Sequence, residues 1–161
     1  FLFCCYAGMR YSDFISLSPD NIVKIRQETW LIYKSIKTST EVRLPFISYY
    51  EGKGLVILDK YRDDLQSFFH LRDNSNVNKN LIVISRLAGL SKKDFISHAR
   101  HTNATLLIYN GVNITTVQKL LGHKSVKTTQ VNTNVMDMTI VHDLEKNHAL
   151  MPLPKKNTNL A

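Results

Sequence analysis

The sequence predicts a mainly α-helical domain with one small antiparallel β-sheet, an α+β arrangement. Three observations carry this. After residue 53, leucine, isoleucine and valine recur at three- and four-residue spacing in runs punctuated by glycine, the pattern of short amphipathic helices. Residues 21–45 show instead short alternating runs rich in β-branched and aromatic side chains, the pattern of strands. The 161 residues, 43% of them hydrophobic, suffice for one domain with a real core.

The elements follow in order. "FLFCCYAG" reads as the end of an apolar helix with a turn at Gly8. A short helix follows, with Phe14, Ile15 and Leu17 inward, until Ser18-Pro19-Asp20 stops it. Strands are expected near 21–26, 30–35 and 41–45, a meander ended by Pro45. Past the Gly52/Gly54 interruption, Leu55, Leu58, Tyr61 and Leu65 keep helical spacing, and "HLRDNSN" is a loop. The next helix puts Leu81, Ile84 and Leu87 on one face and is capped at Gly89. Another carries His98, Arg100 and His101 in its first turns. Ala104, Leu107, Ile108 and Tyr109 face inward along it, and Gly111 closes it. "VNITTVQKLLGH" is a short helix with Asn113 as N-cap, Ile114, Val117, Leu120 and Leu121 inward, and Gly122 at the C-cap. A further short helix is expected after "SVKTTQVNTNV", then a polar tail.

Charge narrows the function. A net charge of +8 and a pI near 9.5 point to a polyanionic partner, nucleic acid first. No apolar run is long enough to span a bilayer, so no membrane partner is expected. The opening segment is too short and wrongly flanked for a signal peptide. It lacks an initiator Met and begins mid-pattern, so the chain reads as a piece of a longer one. Cys4 and Cys5 are adjacent and are the only cysteines, which gives neither a disulfide framework nor a ligand set and fits a reducing cytosol. Asp63-Asp64 reads as a solvated pair, and His98-Ala99-Arg100-His101 has no further ligand at metal spacing. No glycine run makes a phosphate loop, and no Gly-flanked serine marks a hydrolase elbow. Metal, cofactor and small-molecule substrate are therefore not expected.

Cations at structural junctions remain. Arg10 follows a glycine turn, Lys37 sits in a turn between two strands, Arg100 lies near a helix N-terminus, and His123 follows a C-cap. Arginines on rigid elements suit bidentate grip of phosphate oxygens. In "LLGHKSVKTT", Lys124, Lys127, Thr128 and Thr129 make an acid-free surface suited to a DNA backbone.

"FCCYAGMRYSDFISL", "IKTSTEVRLPF" and "HARHTNATLLIYNGVNITTVQKLLGHKSVKTTQV" together resemble the catalytic domain of the tyrosine recombinases, the phage-integrase family, in the manner of integrases from mobile elements of Bacteroides-type bacteria. The resemblance covers nearly the whole chain. It implies a domain over 1–137 and a tail over 138–161 that in the family often packs on a neighbouring protomer. Duplex DNA would be the partner, with a homo-oligomer possible on it. Arg10 matches the first catalytic arginine and Arg100 the second, which would clamp the scissile phosphate. Lys37 matches the hairpin lysine that protonates the departing 5′-oxygen. His123 matches a donor to the phosphate, and Asp13 an acidic residue that braces the site. In the family a tyrosine attacks the phosphate and forms a 3′-phosphotyrosyl link, without metal or ATP.

The chain departs from the family at three places. The pattern "GHKSxxTTxxY" puts the tyrosine at 132, where this chain has Asn132, and an amide is no nucleophile for phosphate. The family's His-x-x-Arg histidine falls on Ser97, and His98 is displaced by one residue, about 100° on a helix. His98 reaches the site only if the segment before Arg100 is not helical. Asn103 stands where the family has Phe, a polar group at a core position that would cost roughly 1–3 kcal/mol if unpaired. The expectation is a recombinase domain that binds duplex DNA and is defective in cleavage. The alternatives are a non-catalytic helix-turn-helix module or a decayed remnant.

Overall fold

Helix α1 (Leu2–Ala7) turns Phe3, Cys4 and Ala7 inward and ends at Gly8, whose φ of 60° is the left-handed conformation glycine adopts cheaply. Space demands glycine here too: an added Cβ would lie 2.7 Å from Asn103 Oδ1 and 2.9 Å from Leu121 Cδ2. The computed structural model describes residues 1–70, 74–89 and 95–132, with backbone alone at 95–97 and 132. Arg10 is the extended N-cap of α2 (Tyr11–Phe14). Phe14 and Leu17 are buried as expected, but Ile15 is exposed, because α2 lasts one turn and leaves it on the solvent side.

The sheet comprises β1 (Ile22–Ile25), β2 (Glu28–Lys34) and β3 (Glu41–Pro45), antiparallel in the order β1-β2-β3. Leu31 stands opposite both Ile22 and Leu44, and Tyr33 opposite Val42. Leu31, Tyr33, Val42 and Leu44 form the buried face, as period-two alternation requires. The expected meander is present, with β2 starting two residues early.

The stretch expected as one helix after Gly54 is two. α3 (Lys53–Lys60) buries Leu58, a 3-10 turn spans Arg62–Asp64, and α4 (Leu65–Phe69) follows. Asp64 accepts from Ser67 N at 3.1 Å and restarts the helix, so Tyr61 is exposed and stacks on Phe68. α5 (Asn74–Leu87) begins inside the expected loop. It buries Leu81 and Ser85, while Ile84 and Leu87 are exposed, so its inward face is rotated from the expected one.

α6 (Phe95–Tyr109) buries Ala104 and Leu107, and Ile108 packs on the core. Tyr109 lies one residue beyond that face and is partly exposed, contrary to expectation. α7 (Ile114–Leu121) is capped by Asn113, whose side chain accepts from Thr115 N at 2.9 Å, and ends at Gly122 (φ 62°). α8 (Val126–Asn132) lies within "SVKTTQVN" itself; the helix expected beyond it and the tail fall outside the described residues.

Phe3 anchors the core against Phe14, Phe46, Phe68 and Phe69 at centroid distances of 5.7–6.3 Å. α6 packs on α1 and α7, α7 also on β3, and α8 on α6 and α7. This packing brings the C-terminal ends of α1 and α7 to the same side of α6. No helix among the described residues is long and apolar enough to cross a membrane.

Candidate functional site

Asp13 is fully buried and organises one side of the site. Its carboxylate accepts from Ile36 N at 2.8 Å and from Ser35 Oγ at 3.2 Å, and lies 3.6 Å from Arg10 Nη1. Arg10 Nη1 donates to Ser35 Oγ at 3.1 Å. One short helix thus grips the β2–β3 turn that carries Lys37. The turn is closed by Ser35 N to Thr40 O at 2.9 Å and Ser39 N to Ser35 O at 2.8 Å. Thr38 Oγ1 donates to Gly122 O at 2.9 Å and ties the turn to the end of α7. Gly122 has no room for a side chain, since a Cβ would meet Val42 Cγ2 at 2.6 Å. Lys37 itself is exposed.

Arg100 is 8% exposed. From α6 it donates through Nη1 to Gly8 O at 2.6 Å and through Nη2 to Leu121 O. These are carbonyls at the C-terminal ends of α1 and α7, which lack helical partners and carry the negative end of the helix dipole. A guanidinium suits both needs. Burial, then the nearby charge of Arg10, lowers its pKa to about 10, still well above neutrality.

His123 directly follows Gly122 and is 3% exposed. Its N–H donates to Gln118 O, and Gln118 Nε2 returns a bond to His123 O, both at 3.0 Å. Its Nδ1 lies 2.9 Å from Thr129 Oγ1. Burial, then the charges of Arg100, Arg10 and His101, lowers its pKa to about 4, so the ring is neutral at pH 7.

The remaining expected residues divide. Lys124, Lys127 and Thr128 are exposed around the start of α8. Thr129 is wholly buried against His123, so its place in an outward DNA-facing set is corrected: helical periodicity turns it under the imidazole. His98 is exposed, and α6 already begins at Phe95, so the non-helical condition for its reaching the site is not met. Asn132 closes α8, with only its backbone described. Asn103 is buried and fully paired, so the cost expected of an unpaired amide is not incurred. Among the described residues, the Tyr33 hydroxyl is the buried side-chain polar atom without a hydrogen-bond partner. No group of histidines, cysteines and carboxylates among them is arranged to hold a metal ion.

Ser35, Thr38 and Gln118 were not singled out from the sequence. Ser35 carried a signal: it continues the inward alternation of Leu31 and Tyr33 one step past β2, where a small polar residue is out of place unless it serves a buried charge. Thr38 acts on a backbone atom that no local pattern brings near, and Gln118 on His123 O, which the glycine cap of α7 folds back beside it.

Similarity to known proteins agrees with this geometry. The model of the phage integrase family matches residues 1–138. The chain is 30% identical over 135 residues to tyrosine recombinase XerA of Saccharolobus solfataricus, a match spanning 80% of this chain and 42% of that protein. It is 30% identical over 129 residues to tyrosine recombinase XerC of Rickettsia prowazekii, spanning 77% and 42%. The chain thus spans less than half the length of these relatives. A crystal structure of XerA recombinase superposes with a TM-score of 0.70 at 24% identity, over 89% of this chain and 55% of that one. A λ integrase, in a tetramer bound to a Holliday junction, gives 0.65 at 19%, over 82% and 40%. The helices around a three-stranded sheet are the catalytic-domain fold of tyrosine recombinases, and the chain belongs to the phage integrase family.

Proposed function

We propose that this domain grips a backbone phosphate of duplex DNA between Arg10, Arg100 and His123 in the manner of a site-specific recombinase, and that it does not cut the strand unaided. One observation carries the reading. Residues far apart in sequence lie near enough for their charges to act on one another, Arg10 on Arg100 and both on His123, with Asp13 paired to Arg10. Positive charge gathered with so little compensation suits a bound anion. A phosphodiester fits, because the arginines would share its non-bridging oxygens and offset the charge that develops there in a transition state.

The other roles follow the family. If Thr129 Oγ1 donates to Nδ1, neutral His123 carries its proton on Nε2 and acts as a donor. Lys37, on an exposed turn braced at Asp13 and Gly122, would deliver a proton to a departing 5′-oxygen once DNA orders it. The attacking tyrosine oxygen is what Asn132 does not supply. Exposed His98 offers no general base at the phosphate. Lys124, Lys127 and Thr128 would meet flanking phosphates. A helix-turn-helix module would leave Arg10 and Asp13 without a shared role, and their engagement with the same turn favours the recombinase reading. DNA as partner implies the bacterial cytosol and assembly on the duplex. The tetrameric λ integrase is the precedent for the latter.

The test is a nicked suicide duplex. Wild-type chain should bind it with strong salt dependence and leave no covalent adduct. A trapped adduct would reveal another nucleophile and overturn the cleavage-defective reading, and affinity indifferent to salt would overturn the phosphate grip. Asn132→Tyr should give at most a trace of adduct.

A further inference from the structure

Arg10 stands two residues after Gly8, the C-cap of α1, so whatever fixes that end fixes the arginine. The last carbonyls of a helix have no intrahelical donors and need partners from elsewhere. Here they are met from α6. Arg100 takes Gly8 O, and one turn further along the same face Asn103 Nδ2 takes Cys5 O at 2.8 Å and Tyr6 O at 3.0 Å. The other end of the amide is held as firmly: Asn103 Oδ1 accepts from Tyr49 OH at 2.9 Å, while the main-chain carbonyl of Asn103 accepts from Tyr50 OH at 3.2 Å. The side chain is 2% exposed, and its Oδ1 lies where a Cβ on Gly8 would clash. The amide is therefore wedged between the turn at Gly8 and the loop after β3.

We infer that Asn103 is a positioning residue for Arg10: it clamps the C-terminal carbonyls of α1 and so sets where the turn at Gly8 delivers the guanidinium. Phenylalanine, the residue expected from the family resemblance, fills such a site by volume and offers those carbonyls no donor. This chain instead uses a hydrogen-bonded strut between α1, α6 and the β3–α3 loop. The consequence for DNA rests on the proposed phosphate grip; the placement of Arg10 does not.

The experiment therefore reads both. Arginine Nε–Hε resonances of the full chain, labelled with ¹⁵N-arginine and assigned with Arg10→Lys, report the guanidinium directly. Asn103→Leu removes the donors and should shift the Arg10 resonance. Tyr49→Phe keeps both carbonyl contacts and should leave that resonance in place while lowering the melting temperature. If Asn103→Leu does not fold, Asn103→Ser, too short to reach the carbonyls, replaces it with the same expected shift. Duplex affinity in a cycle with Arg10→Ala adds the functional arm. Asn103→Leu should weaken binding several-fold alone, and less than twofold further once Arg10 is gone. An unmoved Arg10 resonance in a folded Asn103 variant, or fully additive losses, would overturn the inference. If Arg10→Ala alone leaves affinity unchanged, the phosphate grip fails instead, and the resonances still decide the placement.

Discussion

Arg100 and Lys37 are proposed to act on the same phosphate, yet they are held in opposite ways. Arg100 is buried and bonded to two backbone carbonyls, and Lys37 stands exposed on a turn. The same contrast runs through the site. Asp13, Ser35, Arg100, His123 and Thr129 form a buried floor, and Lys124, Lys127 and Thr128 an exposed rim. A buried charge without partners costs several kcal/mol, so the floor must be fixed before any ligand arrives. Rim cations are already solvated and can wait for DNA. Floor substitutions should therefore damage fold and binding together, and rim substitutions binding alone.

The strongest way to break this division is Arg100→Ala. It leaves Gly8 O and Leu121 O without their donor and uncouples three helices. The expected loss is about 2–4 kcal/mol of unfolding free energy, because two buried carbonyls lose charge-assisted bonds, read by urea denaturation. In protein still folded, duplex affinity by anisotropy at fixed salt should fall at least tenfold. Stability lost with affinity intact would make Arg100 a strut and not a phosphate ligand. Lys37→Ala is the counterpart: an unchanged melting temperature and a few-fold weaker binding. A large drop in its melting temperature would erase the distinction.

Asp13→Ala comes next. It strands Ser35 Oγ in the interior, takes the acceptor from the part-buried Ile36 N–H and frees Arg10 from its carboxylate. About 2–4 kcal/mol should be lost, because unmet buried donors keep their full desolvation cost. A loss below about 0.5 kcal/mol would mean that the β2–β3 turn holds itself.

Part of the site was legible in the sequence, because Arg10 and His123 sit at punctuation. Arg10 follows Gly8 and His123 follows Gly122, and a glycine at a helix end is a strong local signal. The strands were legible from alternation alone. What stayed hidden depends on tertiary contact. Thr129 looks like its neighbours Lys127 and Thr128 until α8 turns it beneath His123. Asn103 reads as a misplaced polar group until Cys5 and Tyr6 present their carbonyls to it from the far end of the chain. α5 was misread for a related reason: its spacing is helical, but which side is buried depends on neighbours that periodicity cannot name.

Acid sharpens the comparison on the floor. His123 has a folded pKa of about 4 against 6.5 for the free side chain. Between those values the unfolded chain takes up a proton that the folded chain refuses, so stability rises with pH through this window and is lost as pH falls from 6.5 toward 4. The loss should be on the order of 2 kcal/mol, shown as the difference between wild type and His123→Gln, whose profile lacks this component. Equal slopes for the two proteins would contradict a neutral, buried His123.

The smallest effect separates two buried tyrosines. Tyr49 has its hydroxyl bonded to Asn103, and burial pushes its pKa up. Tyr33 is as deeply buried beneath the arginines, but its hydroxyl has no hydrogen-bond partner among the described residues. Removing a satisfied hydroxyl leaves Asn103 Oδ1 short of a donor, so Tyr49→Phe should cost about 1 kcal/mol. Removing an unsatisfied one takes away a desolvation cost and leaves the ring packing in place. Tyr33→Phe should therefore be neutral or stabilising by up to about 1 kcal/mol, with duplex affinity unchanged. If Tyr33→Phe instead weakens binding while preserving stability, the hydroxyl belongs to the phosphate site, and the floor of the basin extends deeper into β2 than its hydrogen bonds indicate.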